Sequence, residues 1–165
     1  MPVLERLRPD HAPALLAFER ENRAYFAATI PDRGDDYFAH FADRHQALLA
    51  EQDAGVCHFH LVIDDGEVLG RVNLVDVADG SADLGFRIAS KAAGRGLATA
   101  AVREVMTLAA TDYGLTTLRA AAAVDNIGSQ KVLTRTGFTP TGEQIMLSRK
   151  PGLCYLAPLK LTRSP

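Results

Sequence analysis

The feature that most constrains this chain is a change of hydrophobic period at Val56. From there Cys57, Phe59, Leu61 and Ile63 alternate with His58, His60 and Val62, and Asp65-Gly66 follows as a hairpin turn signal. A second strand over residues 68–75 must run back, Asp79-Gly80-Ser81 turns the chain again, and residues 84–88 supply a third strand. Gly85 inside that strand invites a bulge or a close backbone approach. Upstream, an extended piece over residues 3–7 precedes Asp10, which stands where a helix N-cap belongs. Leu15, Phe18, Asn22, Tyr25 and Phe26 then follow at helical spacing. Pro31 and Gly34 break that helix. Asp35 and Asp36 begin another, with Phe38, Phe41, Leu48 and Leu49 on its apolar face, and Gly55 stops it.

Downstream, Leu97, Ala101, Val105 and Leu108 mark an amphipathic helix ending at Gly114, and residues 118–124 form a short buried strand. A short helix over residues 129–136 is closed by Gly137, and strands over residues 139–147 and 153–161 complete the chain. The order is strand, helix, helix, three antiparallel strands, helix, strand, helix, two strands. It predicts one α/β domain over residues 1–165 with a mixed central sheet.

Composition removes several functions. Eighteen basic against twenty acidic residues give a net charge of -2, so no basic field draws the chain to nucleic acid or anionic lipid. The opening residues show no apolar leader and no apolar window is long enough to span a membrane, so a cytoplasmic protein is expected. Cys57 and Cys154 lie far apart and read as two reduced, buried residues. His58 and His60 share a strand face but have no third ligand nearby; they read as sheet packing or as the lining of a substrate groove, and no metal is expected.

The segment Lys91-Ala92-Ala93-Gly94-Arg95-Gly96-Leu97-Ala98 lies between a strand and a helix. Glycines there let successive amides and the helix N-terminus converge on an anion. The dinucleotide fingerprint would need glycine where Thr99 stands, and the triphosphate loop would need a Gly-Lys-Ser/Thr end, so neither applies.

A second segment, Asn126-x-x-Ser129 followed after a short helix by Gly137-Phe138, completes the pattern. Together the two closely resemble the GNAT acyltransferase superfamily, in its branch similar to the RimJ/RimL-type ribosomal-protein alanine N-acetyltransferases. Lys91, Gly94 and Gly96 match the first signature, with Lys91 in place of its usual Gln or Arg, and the likeness runs from Leu4 to Leu161. It implies a GNAT fold: a mixed, mostly antiparallel sheet of about seven strands with helices on both faces, three layers in all.

The resemblance also implies acetyl-CoA as cosubstrate and transfer of its acetyl group to a primary amine. The backbone of Phe86, Arg87 and Ile88 would bond the pantetheine arm, and one of their amides would polarise the thioester carbonyl. The amides of Ala93, Gly94, Arg95, Gly96, Leu97 and Ala98 would hold the pyrophosphate, Lys91 or Arg95 would neutralise it, and Thr99 adds a hydroxyl. Ser129 is the candidate proton donor to the thiolate, with Asn126 contacting the cofactor or ordering its loop; both residues also suit a helix cap. Tyr155 is the rival donor or a buried structural tyrosine, and Asp83 the candidate base or a solvated turn residue.

Ser148 stands where some relatives carry glutamate, and Ala100 where many do, so a water chain can replace a dedicated base. Glu19, Glu21, Asn22, Arg23 and Tyr25 sit where relatives build the acceptor mouth; most are expected on a solvated face, with one carboxylate free for the acceptor's ammonium. The acceptor is expected to be the N-terminal α-amine of a protein or peptide. The alternatives are a small amine, such as a polyamine, amino acid or aminoglycoside, or a non-catalytic acyl-CoA-binding module. In such folds the last strands often meet across a homodimer.

Overall fold

The computed structural model describes residues 1–160. Strand β1 (Val3–Arg6) leads through a 3-10 turn at Pro9–His11 into helices α1 (Ala12–Glu21), α2 (Arg23–Ala27), α3 (Asp35–Ala39) and α4 (Phe41–Asp53). Strands β2 (His58–Asp64), β3 (Glu67–Ala78) and β4 (Ser81–Ile88) form the meander, and α5 (Leu97–Thr111) follows. Then come β5 (Thr117–Ala123), α6 (Ile127–Arg135), β6 (Thr139–Leu147) and β7 (Lys150–Pro158). Leu161, the expected end of the last strand, lies outside the described residues.

The strands make one seven-stranded sheet in the order β1-β2-β3-β4-β5-β7-β6. Every neighbouring pair is antiparallel except β4 with β5. The sheet is thus mixed and mostly antiparallel, as expected. Helix α1 packs on β3 on one face, carrying Glu19 to Arg71, while α5 packs on β3 and β4. On the α5 side lies His60, which bonds Tyr113 just beyond that helix. The core between these layers is aliphatic and aromatic, with Leu15, Phe18, Leu61, Val72, Leu74, Val102, Val105 and Leu118 all essentially sealed from solvent. Among the described residues no helix is long and apolar enough to cross a membrane.

Four expectations need correction. Asp10 does not cap the first helix; it sits inside the 3-10 turn and binds Arg8, while His11 occupies the cap position without a side-chain cap bond. The first long helix is interrupted at Asn22, whose Nδ2 donates to the Phe18 carbonyl while its Oδ1 accepts from the Ser90 amide. A side chain that bonds the backbone locally competes with the helical ladder, and here a long-range bond fixes the break. The second helix is likewise split, at His40. Finally, Gly85 pairs in regular register with Asn73, and the irregularity lies between Val75 and Ala78. The close approach is at Gly70 instead, where a Cβ would meet the Ile88 side chain and the Arg87 carbonyl.

Candidate active site

The parallel contact between β4 and β5 is short: Ser81, Ala82 and Asp83 pair with Thr117, Leu118 and Arg119, and there it ends. Strand β4 continues to Ile88 and β5 to Ala123, so the two diverge and leave a slot. A cavity of about 440 Å³ lies beyond this divergence, with Phe86, Arg87 and Ile88 along one wall and Asn126, which follows β5, on another. Tyr25, Phe26 and residues 28–30 also line this cavity.

The loop between β4 and α5 forms the next wall. Gly94 and Gly96 adopt φ of +78° and +74°, a left-handed conformation that L side chains rarely hold, and a Cβ on either would meet nothing within 4 Å. Both glycines line the cavity, together with Ala93, Leu97, Ala98 and Thr99. Gly96 is the N-cap of α5 and makes no side-chain cap bond, and Ala100 is the first amide to reach back, to the Gly96 carbonyl. The amides from Gly94 to Thr99 have no backbone partner among the described residues and are available to an anion, which the helix dipole favours there; that of Ala93, expected to join them, instead donates to the Ser90 carbonyl.

Helix α6 supplies the third wall through Asn126, Gly128, Ser129, Lys131, Val132 and Arg135. Its cap is Asn126, whose Oδ1 accepts from the Ser129 amide at 3.2 Å. The Ser129 hydroxyl is half-buried and has no hydrogen-bond partner among the described residues. Gln130 Nε2 donates to the Ala123 and Val124 carbonyls and ties α6 to the end of β5, while Arg103 donates to the Arg135 carbonyl and ties it to α5. Lys131 and Arg135 were missed by the sequence reading. Their signal was the i, i+4 spacing that sets both on the helix face of Gly128.

Four expected residues lie off the cavity wall. Lys91 pairs with Glu67, and Arg95 donates to the Lys91 carbonyl. Asp83 accepts from Arg119 Nε at 2.7 Å at the last parallel pair. Tyr155 is buried on β7 between Ala120 and Pro140.

The acidic mouth differs most from expectation. Glu19 is not a free surface carboxylate: it is buried and accepts from Arg33 Nε at 2.9 Å, Arg71 Nη1 at 2.8 Å and Arg87 Nη1 at 3.1 Å. Burial alone would raise its pKa, but the charges of Arg71, Arg33 and Arg87 outweigh that and hold it below the usual carboxylate range. Asn22 is buried, and Arg23 binds Asp32 and Asp35; Tyr25 alone of these lines the cavity.

The histidines pack on the sheet. His58 stacks on Tyr113 at 3.7 Å between ring centroids, and His60 donates from Nδ1 to the Val72 carbonyl, which leaves Nε2 to accept from the Tyr113 hydroxyl at 2.6 Å. Burial pushes the His60 pKa down to about 4. Cys57 is buried and Cys154 half-buried, and both are free.

A sheet opened after three parallel pairs beside a glycine cradle at a helix start defines a class. The chain belongs to the acetyltransferase (GNAT) domain family, whose model matches residues 3–139. By family and fold it is an N-acetyltransferase. It is 29% identical over 136 residues to the Bacillus subtilis protein named probable N-acetyltransferase YjcK, covering 77% of this chain and 74% of that one. Its fold is similar to that of the ribosomal-protein-S5-alanine acetyltransferase of Vibrio fischeri, with a TM-score of 0.90 at 18% identity over 96% and 93% of the two chains. It is similar also to Mycobacterium smegmatis RimJ in complex with CoA-disulfide, with a TM-score of 0.85 at 23% identity over 95% and 81%.

Proposed function

We propose that the protein transfers the acetyl group of acetyl-CoA directly to a primary amine, and that its acceptor is the N-terminal α-amine of a protein or peptide. One observation carries this reading: β4 leaves β5 after three residue pairs, and the slot so opened runs into the Gly94-x-Gly96 loop at the start of α5. A pantetheine arm bonded along Phe86, Arg87 and Ile88 adds to the open strand edge as an extended peptide would. The loop amides from Gly94 to Ala98 receive the pyrophosphate, with Ala93, whose own amide is taken by the Ser90 carbonyl, and Thr99 and Asn126 beside them. Lys131 and Arg135 stand on the same cavity and supply countercharge, Lys91 being committed to Glu67.

The cosubstrate supplies an acyl group on a thiolate leaving group; the chain's residues do the rest. An amide of residues 86–88 stabilises charge on the carbonyl oxygen. Ser129 passes a proton to the departing thiolate and takes one in turn from water, because its hydroxyl is unpartnered and its residue lines the cavity, whereas Tyr155 is buried away from it. Asp83, half-exposed where β4 and β5 part, lies off the cavity wall and is paired with Arg119, so it accepts the amine proton only through a chain of water. The peptide reading draws support from the named ribosomal-protein acetyltransferase of like fold. The test is mass-spectrometric detection of product from alanine- and serine-starting peptides alongside polyamines, aminoglycosides and amino acids. Acetylation of peptide α-amines is expected; acetylation of small amines alone would overturn the acceptor assignment.

A further inference from the structure

The cluster around Glu19 has a charge balance that acetyl transfer does not explain. Three guanidiniums, those of Arg33, Arg71 and Arg87, share one carboxylate. Asp32 and Asp35, which flank Arg33 in sequence, are engaged by Arg23. Among the described residues no second carboxylate bonds any of the three arginines, so two positive charges stand uncompensated beside the active site. Arg71 and Arg87 face each other directly across β3 and β4, a like-charge pairing that is destabilising unless an anion offsets it.

Two buried polar atoms there have no partner, Arg71 Nε and Asn73 Oδ1. Arg71 is 3% exposed, so its bare N–H is deprived of water as well. The strand register puts Arg71, Asn73, Gly85 and Arg87 on one face of the sheet. Gly85 is exposed, and a Cβ built on it would meet nothing within 4 Å, so the sheet face is open beside Asn73. The void among Glu19, Arg33 and Arg87 is only about 10 Å³ and must widen by side-chain movement to admit a ligand. Arg87 links this face to the acetyl-transfer cavity, whose wall it shares with Phe26.

We propose that Arg33, Arg71 and Arg87 form a carboxylate subsite for the acceptor, with Glu19 holding the guanidiniums in place, so that the preferred substrate is a peptide with an acidic residue next to its reactive N-terminus. The guanidinium fork suits a carboxylate in two-point geometry, and in a site shielded from water such pairs are strong. Arg71 Nε donates to the incoming oxygen, and Asn73 Oδ1 accepts a backbone amide of the acceptor lying over Gly85. Burial and the charges of Arg33 and Arg71 push the Arg87 pKa down to about 10, the state of a cation short of counter-ions.

The inference rests on the peptide reading and is tested with it. The full chain and acetyl-CoA are assayed on two peptides that differ only in Asp or Asn at the second residue, at low and high salt. We expect kcat/KM to favour the Asp peptide by at least about tenfold, with the ratio shrinking in salt. In Arg33→Gln, which alters the most exposed of the three arginines, that ratio should fall toward unity; the ratio, not the rate, is read, so a general loss of activity does not mimic it. Arg33→Lys keeps the charge and should restore part of the preference. Both peptides acetylated at similar rates would overturn the subsite and leave the peptide reading standing. Acetylation of a free amino acid but not of its carboxamide, with neither peptide modified, would support the subsite and overturn the peptide reading.

Discussion

Replacing Gly96 with alanine separates two costs that usually arrive together. A Cβ at this position meets no atom within 4 Å, so the substitution creates no clash; its structural cost is the left-handed backbone at φ +74°. That conformation costs an L residue about 1–2 kcal/mol, partly offset by about 0.4–1 kcal/mol from a less flexible unfolded chain. The net loss, about 1 kcal/mol, lowers the Tm by about 2–4 °C in a chain of this size. Binding should suffer far more if the loop amides hold the pyrophosphate as proposed, because the methyl group is added to the loop that lines the cavity. Losing one charge-assisted hydrogen bond is worth about 1.5–3 kcal/mol, or about tenfold to a hundredfold in Kd. Gly55→Ala is the matched control: φ is +76°, the space is again open, and the residue follows α4 away from this cavity. Calorimetric titration with CoA and thermal unfolding of both variants give the four numbers required. If Gly96→Ala binds CoA as tightly as the parent while losing the same Tm as Gly55→Ala, the cradle is an ordinary turn and the cofactor assignment fails.

Two further outcomes follow from contacts described above. Because Asn126 and not Ser129 caps α6, Asn126→Ala should cost about 1 kcal/mol of stability, whereas Ser129→Ala should leave stability nearly intact and slow turnover by roughly a hundredfold at saturating substrates. Steady-state kinetics beside denaturant melts decide it, and parent-rate turnover in Ser129→Ala would make the serine structural. For His60, the folded pKa of about 4 lies below the unfolded value of 6.5, so the unfolded chain binds the proton first as pH falls. Its contribution is complete above pH 6.5 and is lost as the pH drops toward 4, a change of about 3 kcal/mol that urea melts across this window should reveal in the parent and not in His60→Phe.

The meander was legible because its signals are local. Asp65 and Gly66 both take positive φ in the hairpin turn, as an Asp-Gly pair permits, and Gly55, Gly114 and Gly137 stop their helices at left-handed positions. The helix breaks at Asn22 and His40 were not legible. Asn22 looks like one more polar residue on a helical face until Ser90, 68 positions away, arrives to bond it. Glu19 misled for the same reason: Arg33, Arg71 and Arg87 come from three separate segments, and no spacing in the sequence records that they converge. The glycine cradle and the Asn126 cap were readable because each is built from consecutive residues. That Lys91 is turned from the cavity was not, since it depends on its partner Glu67, which sits on β3.

The short β4–β5 contact has a mechanical meaning as well. Seven pairs join β3 to β4 and seven join β5 to β7, but only three cross between the two halves of the sheet. The fold therefore has a seam, with the meander on one side and the last three strands on the other, stitched at one end and unlaced along the rest. A molecule lodged in the unlaced portion ties the halves together where the protein has fewest ties of its own. Under the proposed function, a cosubstrate held along the free edge of β4 would add ties where the sheet has fewest, so that occupancy and the rigidity of the seam would rise and fall together.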